Sequence, residues 1–283
     1  SDNMIAADIV TADGTYLRAS ADENPELFWG LRGGGGNFGI VTSLEFQLHS
    51  FGPDILSCSV MYPMAQACDA LNFLNDFALK AHRELTMSGV LIMPPNGKAF
   101  SVIGASYSGD FKQGEKHLQP LLNFGKPTVA NLTSRNYLQL QRAQDGNLQA
   151  GRKYYLKSGF MNELPPKFVD ELVERFEPSP KRQNIVILGQ QGGIVSELAS
   201  DATAYNHREA QFDLMIGAAW DDSADSEKNV AWGRSYFKDM SPYTDGYYVN
   251  NAMDESASSV GRNYQGNQDR LVALKNKHDP GNL

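Results

Sequence analysis

The run Gly33-Gly34-Gly35-Gly36, followed by Asn37-Phe38-Gly39, is the part of this chain with the clearest capacity for chemistry. Lacking Cβ atoms, such a backbone can approach a partner closely and turn its N–H groups toward an anion. A flexible surface loop fits the same residues. A phosphate-binding P-loop does not, because no Lys-Ser or Lys-Thr follows the glycines. The dinucleotide fingerprint fails as well, since these glycines end a helix and precede a strand, the reverse of the order that motif requires. His49, His82, His117, His207 and His278 lie far apart, and Cys58 and Cys68 form no C-x-x-C, so no metal site is expected. For the two cysteines, buried free thiols are favoured over a disulfide.

The elements that position the glycines come from the surrounding pattern. Strands are expected over Ile5 to Thr11, Tyr16 to Ala19 and Ile40 to Leu48, the last with Val41, Leu44, Phe46 and Leu48 directed to a core. Asn24-Pro25-Glu26 reads as a helix start, an N-cap type before Pro and a carboxylate. Beyond residue 50, helices are expected over 65–82, 111–123, 166–177 and 224–240. Strands are expected over Ser88 to Met93, Phe100 to Tyr107, Tyr154 to Asn162, Ile185 to Gln190 and Gln211 to Trp220. Pro94-Pro95-Asn96-Gly97 marks a turn between two of these strands. Hairpin-length connections imply an α+β fold, with an antiparallel sheet covered on one face by helices. Residues 246–283 read as a strand-like Gly246-Tyr247-Tyr248-Val249-Asn250, a polar loop, and a helix carrying Leu271, Leu274 and Lys275.

Composition narrows the partners. A net charge of −8 argues against a nucleic-acid surface, which needs clustered Lys and Arg. No apolar run approaches the 18 or so residues of a membrane span, so no membrane partner is expected. The first residues lack the basic and apolar regions of a signal peptide, and the compartment stays open.

The segment from Leu27-Phe28-Trp29 through the four glycines to Asn37-Phe38-Gly39-Ile40-Val41 resembles the FAD-holding segment of the vanillyl-alcohol-oxidase (PCMH-type FAD-binding) superfamily. Further motifs in chain order are similar to its berberine-bridge-enzyme-like branch. They are Asp2-Asn3, Val10-Thr11-Ala12-Asp13-Gly14, the segment Thr203 to Arg208, Tyr248-Val249-Asn250, and Arg270-Leu271 to Lys275 with Asp279-Pro280. One departure is local: Tyr264-Gln265-Gly266-Asn267 places Gly directly beside Asn, where the family spaces them.

The resemblance implies three regions. Residues 1–50 would be the C-terminal part of an FAD-binding domain, 51–245 a substrate domain, and 246–283 a segment returning to the FAD domain. It also implies that these residues are a C-terminal portion, a fragment or one half of a split protein. The N-terminal segment bearing the pyrophosphate loop and flavin-linking His would be its missing partner. FAD is then expected in the intact protein and not on this chain alone, which would be inactive by itself. Self-association through the uncovered face is expected. The implied cofactor contacts are Gly34, Gly35, Gly36, Asn37, Phe38, Gly39, Ile40, Val41, Asn250 and Asn267. Tyr248 would be the base that takes the substrate proton during hydride transfer to flavin N5; a core tyrosine is the alternative. A carboxylate near Thr203 to His207 serves in other members, here Asp201.

Along 211–219, Phe212, Leu214 and Ile216 would face the helices and leave Gln211, Asp213 and Met215 toward the cavity. Gln190 and Gln191 end another strand where substrate contacts are expected. Each of these polar residues also fits as a satisfied group at a sheet edge. The implied substrate is a hydroxyl-bearing small molecule or sugar. The alternative is a ligand- or partner-binding module without flavin.

Overall fold

A computed structural model describes the chain apart from Phe51, Pro95, Asn96, Asn147, Pro178, Pro180, Ala252 and 254–256. The first half runs β1 (Met4–Val10), β2 (Tyr16–Ser20), α1 (Pro25–Leu31), β3 (Ile40–Phe46), β4 (Asp54–Pro63), α2 (Ala67–Ala78), β5 (Leu85–Met93), β6 (Phe100–Tyr107), α3 (Phe111–Asn123) and β7 (Val129–Asn136). The second runs α4 (Tyr137–Gln141), β8 (Lys153–Met161), α5 (Pro166–Glu174), β9 (Gln183–Gln190), α6 (Ile194–Glu197), β10 (Phe212–Trp220), α7 (Ser226–Met240), α8 (Ala257–Tyr264) and α9 (Gln268–His278). Two compact units result: one of residues 1–50, 192–209 and 254–283, the other of 51–191 and 210–253. No helix among the described residues is long and apolar enough to cross a membrane.

The first unit is a three-stranded antiparallel sheet in the order β2-β1-β3, with α1 and α9 packed through Leu27, Phe28, Trp29, Leu271 and Leu274. The expected boundaries change here, because 192–209 joins this unit. Trp29 Nε1 donates to Asp201 O at 2.8 Å, and Ala204 N and Tyr205 N donate to the carbonyls of Trp29 and Arg32, both at 3.2 Å. This segment thus satisfies backbone acceptors that the end of α1 leaves open. Buried Arg208 grips Asp2 with two bonds of 2.7 and 2.9 Å. Asn24 precedes α1 but does not cap it. It adopts a left-handed conformation at φ 49° and donates its amide to Arg18 O at 2.8 Å, while Glu26 pairs with Arg270.

β3 departs from expectation in its environment. It pairs with β1 alone, and its residues are exposed, Ile40 by 73%, with Leu48 beyond it exposed by 81%. Val41, Leu44 and Phe46 are exposed as well, because no layer of this unit lies over them.

The second unit is a seven-stranded sheet, β7-β4-β6-β5-β9-β10-β8, with every pairing antiparallel. One face carries the core, including Leu71, Leu74, Leu118, Phe168, Leu214 and Tyr236 from strands and helices. Gly89 permits the close seat of α2, since a Cβ there would stand 2.6 and 2.7 Å from Leu71 and Leu74. Cys58 and Cys68 are free thiols.

Two further expectations change. Residues 246–250 form no strand: Asp245 N donates to Phe160 O, Phe160 N to Gly246 O, and Val249–Asn251 is a 3-10 turn. That segment belongs to the second unit, and α8 occupies the stretch expected to be a polar loop. Within the expected 94–97 turn, Pro95 and Asn96 lie outside the described residues, while Gly97 N bonds Pro94 O at 3.2 Å.

Exposed apolar side chains on an edge strand favour pairing with another copy. Sedimentation velocity of this chain should therefore show concentration-dependent association, reduced in an Ile40→Lys/Leu48→Lys double variant. Wild-type monomer across the concentration range would refute this.

Candidate functional site

In the first unit the glycine segment is partly structural and partly open. Gly33 (φ +131°) and Gly39 (φ +144°) hold conformations that side chains rarely adopt. A Cβ would come within 2.2 Å of Tyr205 N at the first and 2.3 Å of Val10 O at the second. Gly34 is closed in too, against Gly30 O and Leu271. Gly36 faces open space, and Gly35 (φ +74°) meets only ordinary contacts. Asn37 Nδ2 donates to Gly34 O at 2.7 Å and staples the loop. The N–H groups of Gly35, Gly36 and Asn37 have no hydrogen-bond partner among the described residues.

Beside this loop, Asn37, Phe38, Tyr264, Leu271 and Lys275 line an apolar cleft of about 180 Å³. Burial pushes the Tyr264 hydroxyl pKa up. Ile40 and Val41 point outward. Asn267 is buried, and its amide donates to Ser200 O and Thr203 O at 3.1 and 3.3 Å, so it ties 192–209 to the C-terminal helices. Asp201 is exposed and belongs to this unit.

In the second unit the strand period of two sorts β10 as expected. Phe212, Leu214 and Ile216 are fully buried on the helix side, leaving Asp213 and Met215 on the opposite, half-open face. The register sets Asp213 between Phe160 on β8 and Gly189 on β9, and Met215 between Ser158 and Ile187. With apolar neighbours on both sides, burial pushes the Asp213 carboxyl up to about 7. Its Oδ1 is enclosed without a hydrogen-bond partner.

Gln191 N donates to Gln211 O, and Gln211 N to Met161 O, both at 2.8 Å, extending the ladder past Asp213. Gln190 is a correction. It lies opposite Phe212, hence on the helix side, where its amide accepts from Met87 N at 3.1 Å and donates to Ala78 O at 3.3 Å. Those bonds join β9 to β5 and the end of α2, so Gln190 is held away from the open face.

Tyr248 and Asn250 lie on the segment that follows the free edge of β8, from Phe160 at one end to Leu156, whose N–H meets Met253 Sδ, at the other. Asn250 Nδ2 donates to the Tyr248 hydroxyl at 2.7 Å. β8 separates this segment from β10. On β8, Ser158 is 2% exposed, with its hydroxyl unpartnered. Its face could be read only once β8 and β10 were in register, which the sequence did not provide.

No family model matches the chain. It is 26% identical over 285 residues to an FAD-linked oxidoreductase of Dictyostelium discoideum, covering 100% of this chain and 62% of the relative. It is 29% identical over 314 residues to the glucooligosaccharide oxidase of Sarocladium strictum, covering 99% and 61%. The structure of berberine-bridge-enzyme-like protein 1 from Physcomitrella patens matches with a TM-score of 0.84 at 21% identity, over 99% of this chain and 63% of that one. The chain is thus a relative of FAD-linked oxidoreductases with the berberine-bridge-enzyme-like fold, and it spans about three-fifths of the length of these curated relatives.

Two outcomes follow. Gly39→Ala should destabilise by about 1–3 kcal/mol in denaturant melts while Gly36→Ala is neutral; equal effects would show that backbone geometry does not select glycine at 39. For Asp213, the folded chain keeps a proton that the unfolded chain loses above pH 3.8. The stability from its neutral form is complete below pH 3.8 and lost as pH rises through about 7. Asp213→Asn should match wild type near pH 4 and exceed it at pH 8, by at most ~4 kcal/mol. A pH-independent difference would refute the burial of an ionisable carboxyl.

Proposed function

We propose that the protein is an FAD-dependent oxidoreductase acting on a hydroxyl-bearing small molecule or sugar, with Asp213 accepting the substrate's proton. The observation that carries this is Asp213 itself, a carboxyl pushed up to about 7 on the half-open face of a sheet, with no partner on Oδ1. A general base is most effective when its pKa lies near the working pH. Oxidation of an alcohol removes a hydride and a proton, and the flavin, when bound, is the two-electron acceptor. Ionised Asp213 takes the hydroxyl proton as the carbon-bound hydrogen departs.

In this reading Tyr248 orients the substrate instead of acting as the base. The N–H of Asn250 occupies one lone pair of the phenolic oxygen, and the hydroxyl proton is left to donate to a substrate oxygen. Gln191 and Gln211 pair through the backbone where β9 ends and β10 begins, and a carboxamide side chain suits sugar hydroxyls. The relative that oxidises glucooligosaccharides supports that substrate class. For the cofactor, the open positions at Gly35 and Gly36 and the unpartnered N–H groups through Asn37 fit close contact with an electron-rich ligand edge.

The test is flavin reduction by stopped-flow in the full-length, flavin-loaded enzyme. Asp213→Asn should slow reduction by about 10²–10⁴-fold and abolish the rise of rate with pH through about 7. Tyr248→Phe should weaken substrate binding and keep that rise. The opposite pattern would assign the base to Tyr248.

A further inference from the structure

Ser158 is enclosed, and its hydroxyl has no hydrogen-bond partner. Buried polar atoms without partners are rare, and each asks for an explanation. Two such atoms belong to neighbouring strands, Ser158 Oγ on β8 and Asp213 Oδ1 on β10. Ser158 sits directly opposite Met215 and Asp213 opposite Phe160, so the serine and the aspartate are diagonal neighbours on one face of adjacent strands. Diagonal pairs stand roughly 7–8 Å apart at the backbone. Short side chains at that separation are spanned by one water, which bonds to two or more buried polar groups. One atom of the pair is a donor, the other an acceptor, so a single bridge satisfies both. Of the two carboxylate oxygens, only Oδ1 is enclosed without a partner, which leaves Oδ2 for the open face.

We propose that Ser158 is the positioning residue for Asp213, donating to Oδ1 through one buried water and so aiming Oδ2 at the substrate. The inference rests on Asp213 as proton acceptor. A donor on Oδ1 favours the ionised form, so removing the hydroxyl moves the carboxyl's titration to higher pH. Other charges do not supply this effect, since burial alone raises Asp213. On its face, β9 offers Gly189 and Ile187, and β8 offers Phe160, Ser158 and, further along, Tyr154. Lys157 of β8 lies opposite Ile216, on the helix face. Asp245 and Tyr248 lie on the segment along the far edge of β8.

The experiment is a carbon-13 NMR titration of the chain labelled at aspartate carboxyls, with the Asp213 resonance identified by its loss in Asp213→Asn. Wild type should titrate above the ordinary carboxylate range and below about 7, the value that burial alone gives without the bridged donor. Ser158→Ala should move the midpoint up by roughly one pH unit, and Ser158→Thr, which keeps the hydroxyl, should restore it. An unmoved midpoint in Ser158→Ala, with the fold intact by circular dichroism, overturns the role of Ser158 and leaves Asp213 as base. A wild-type midpoint in the ordinary carboxylate range overturns both. If Ser158→Thr behaves as Ser158→Ala, packing and not the hydroxyl controls Asp213, and the proposal fails.

Discussion

In the second unit, strand periodicity and one-sided packing act together. Helices α2, α3, α5 and α7 cover one face of the seven-stranded sheet, so every second residue of β10 is fixed in a core and its alternates are held opposite. Phe212, Leu214 and Ile216 anchor the strand, and that anchoring fixes the location of Asp213. A slip of one residue would bury the carboxylate among helices and expose the three apolar side chains. The position of a reactive group is thus set by its inert neighbours.

The first unit is held by contacts between residues distant in sequence. Arg208 and Asp2 form a bidentate pair with the guanidinium buried, and that hydrogen bond keeps the Asp2 carboxyl below its ordinary range. Thr203 accepts a further bond from Arg208, and Asn267 grips the Ser200 and Thr203 carbonyls. Breaking one side of such a pair leaves a buried charge uncompensated, so these groups confine the 192–209 segment more firmly than its short α6 helix could.

What the sequence made legible was local. β6 and α3 match their expected spans, because alternation marks the strand and Asp110 caps the helix by accepting from Gln113 N. The sheet with one covered face and the relationship to FAD-linked oxidoreductases were also readable, from periodicity and motifs respectively. The run Tyr247-Tyr248-Val249 looks like a strand by composition, yet it follows the edge of β8 as a turn. Propensity cannot reveal an edge that another segment must fill. Gln190 was misjudged because the face a residue takes depends on register with β10, and β3 because its apolar pattern says nothing about whether a covering layer is present. At the candidate site, Asp213 was visible in the alternation of β10, whereas Ser158 became visible only through strand pairing.

The chain crosses between its two units four times, and the first unit draws on three separated segments. Its core joins Leu27 and Trp29 of α1 to Leu271 and Leu274 of α9, while the ion pair Glu26–Arg270 closes a loop of 244 residues. During synthesis, β1, β2 and α1 emerge long before α9, which completes their core. The second unit, inserted between them, holds nearly all its partners well before α9 is made. Within these residues, order of appearance on the ribosome therefore runs opposite to order of completion: α1 is made long before α9, and until α9 arrives its apolar side faces whatever surrounds the nascent chain.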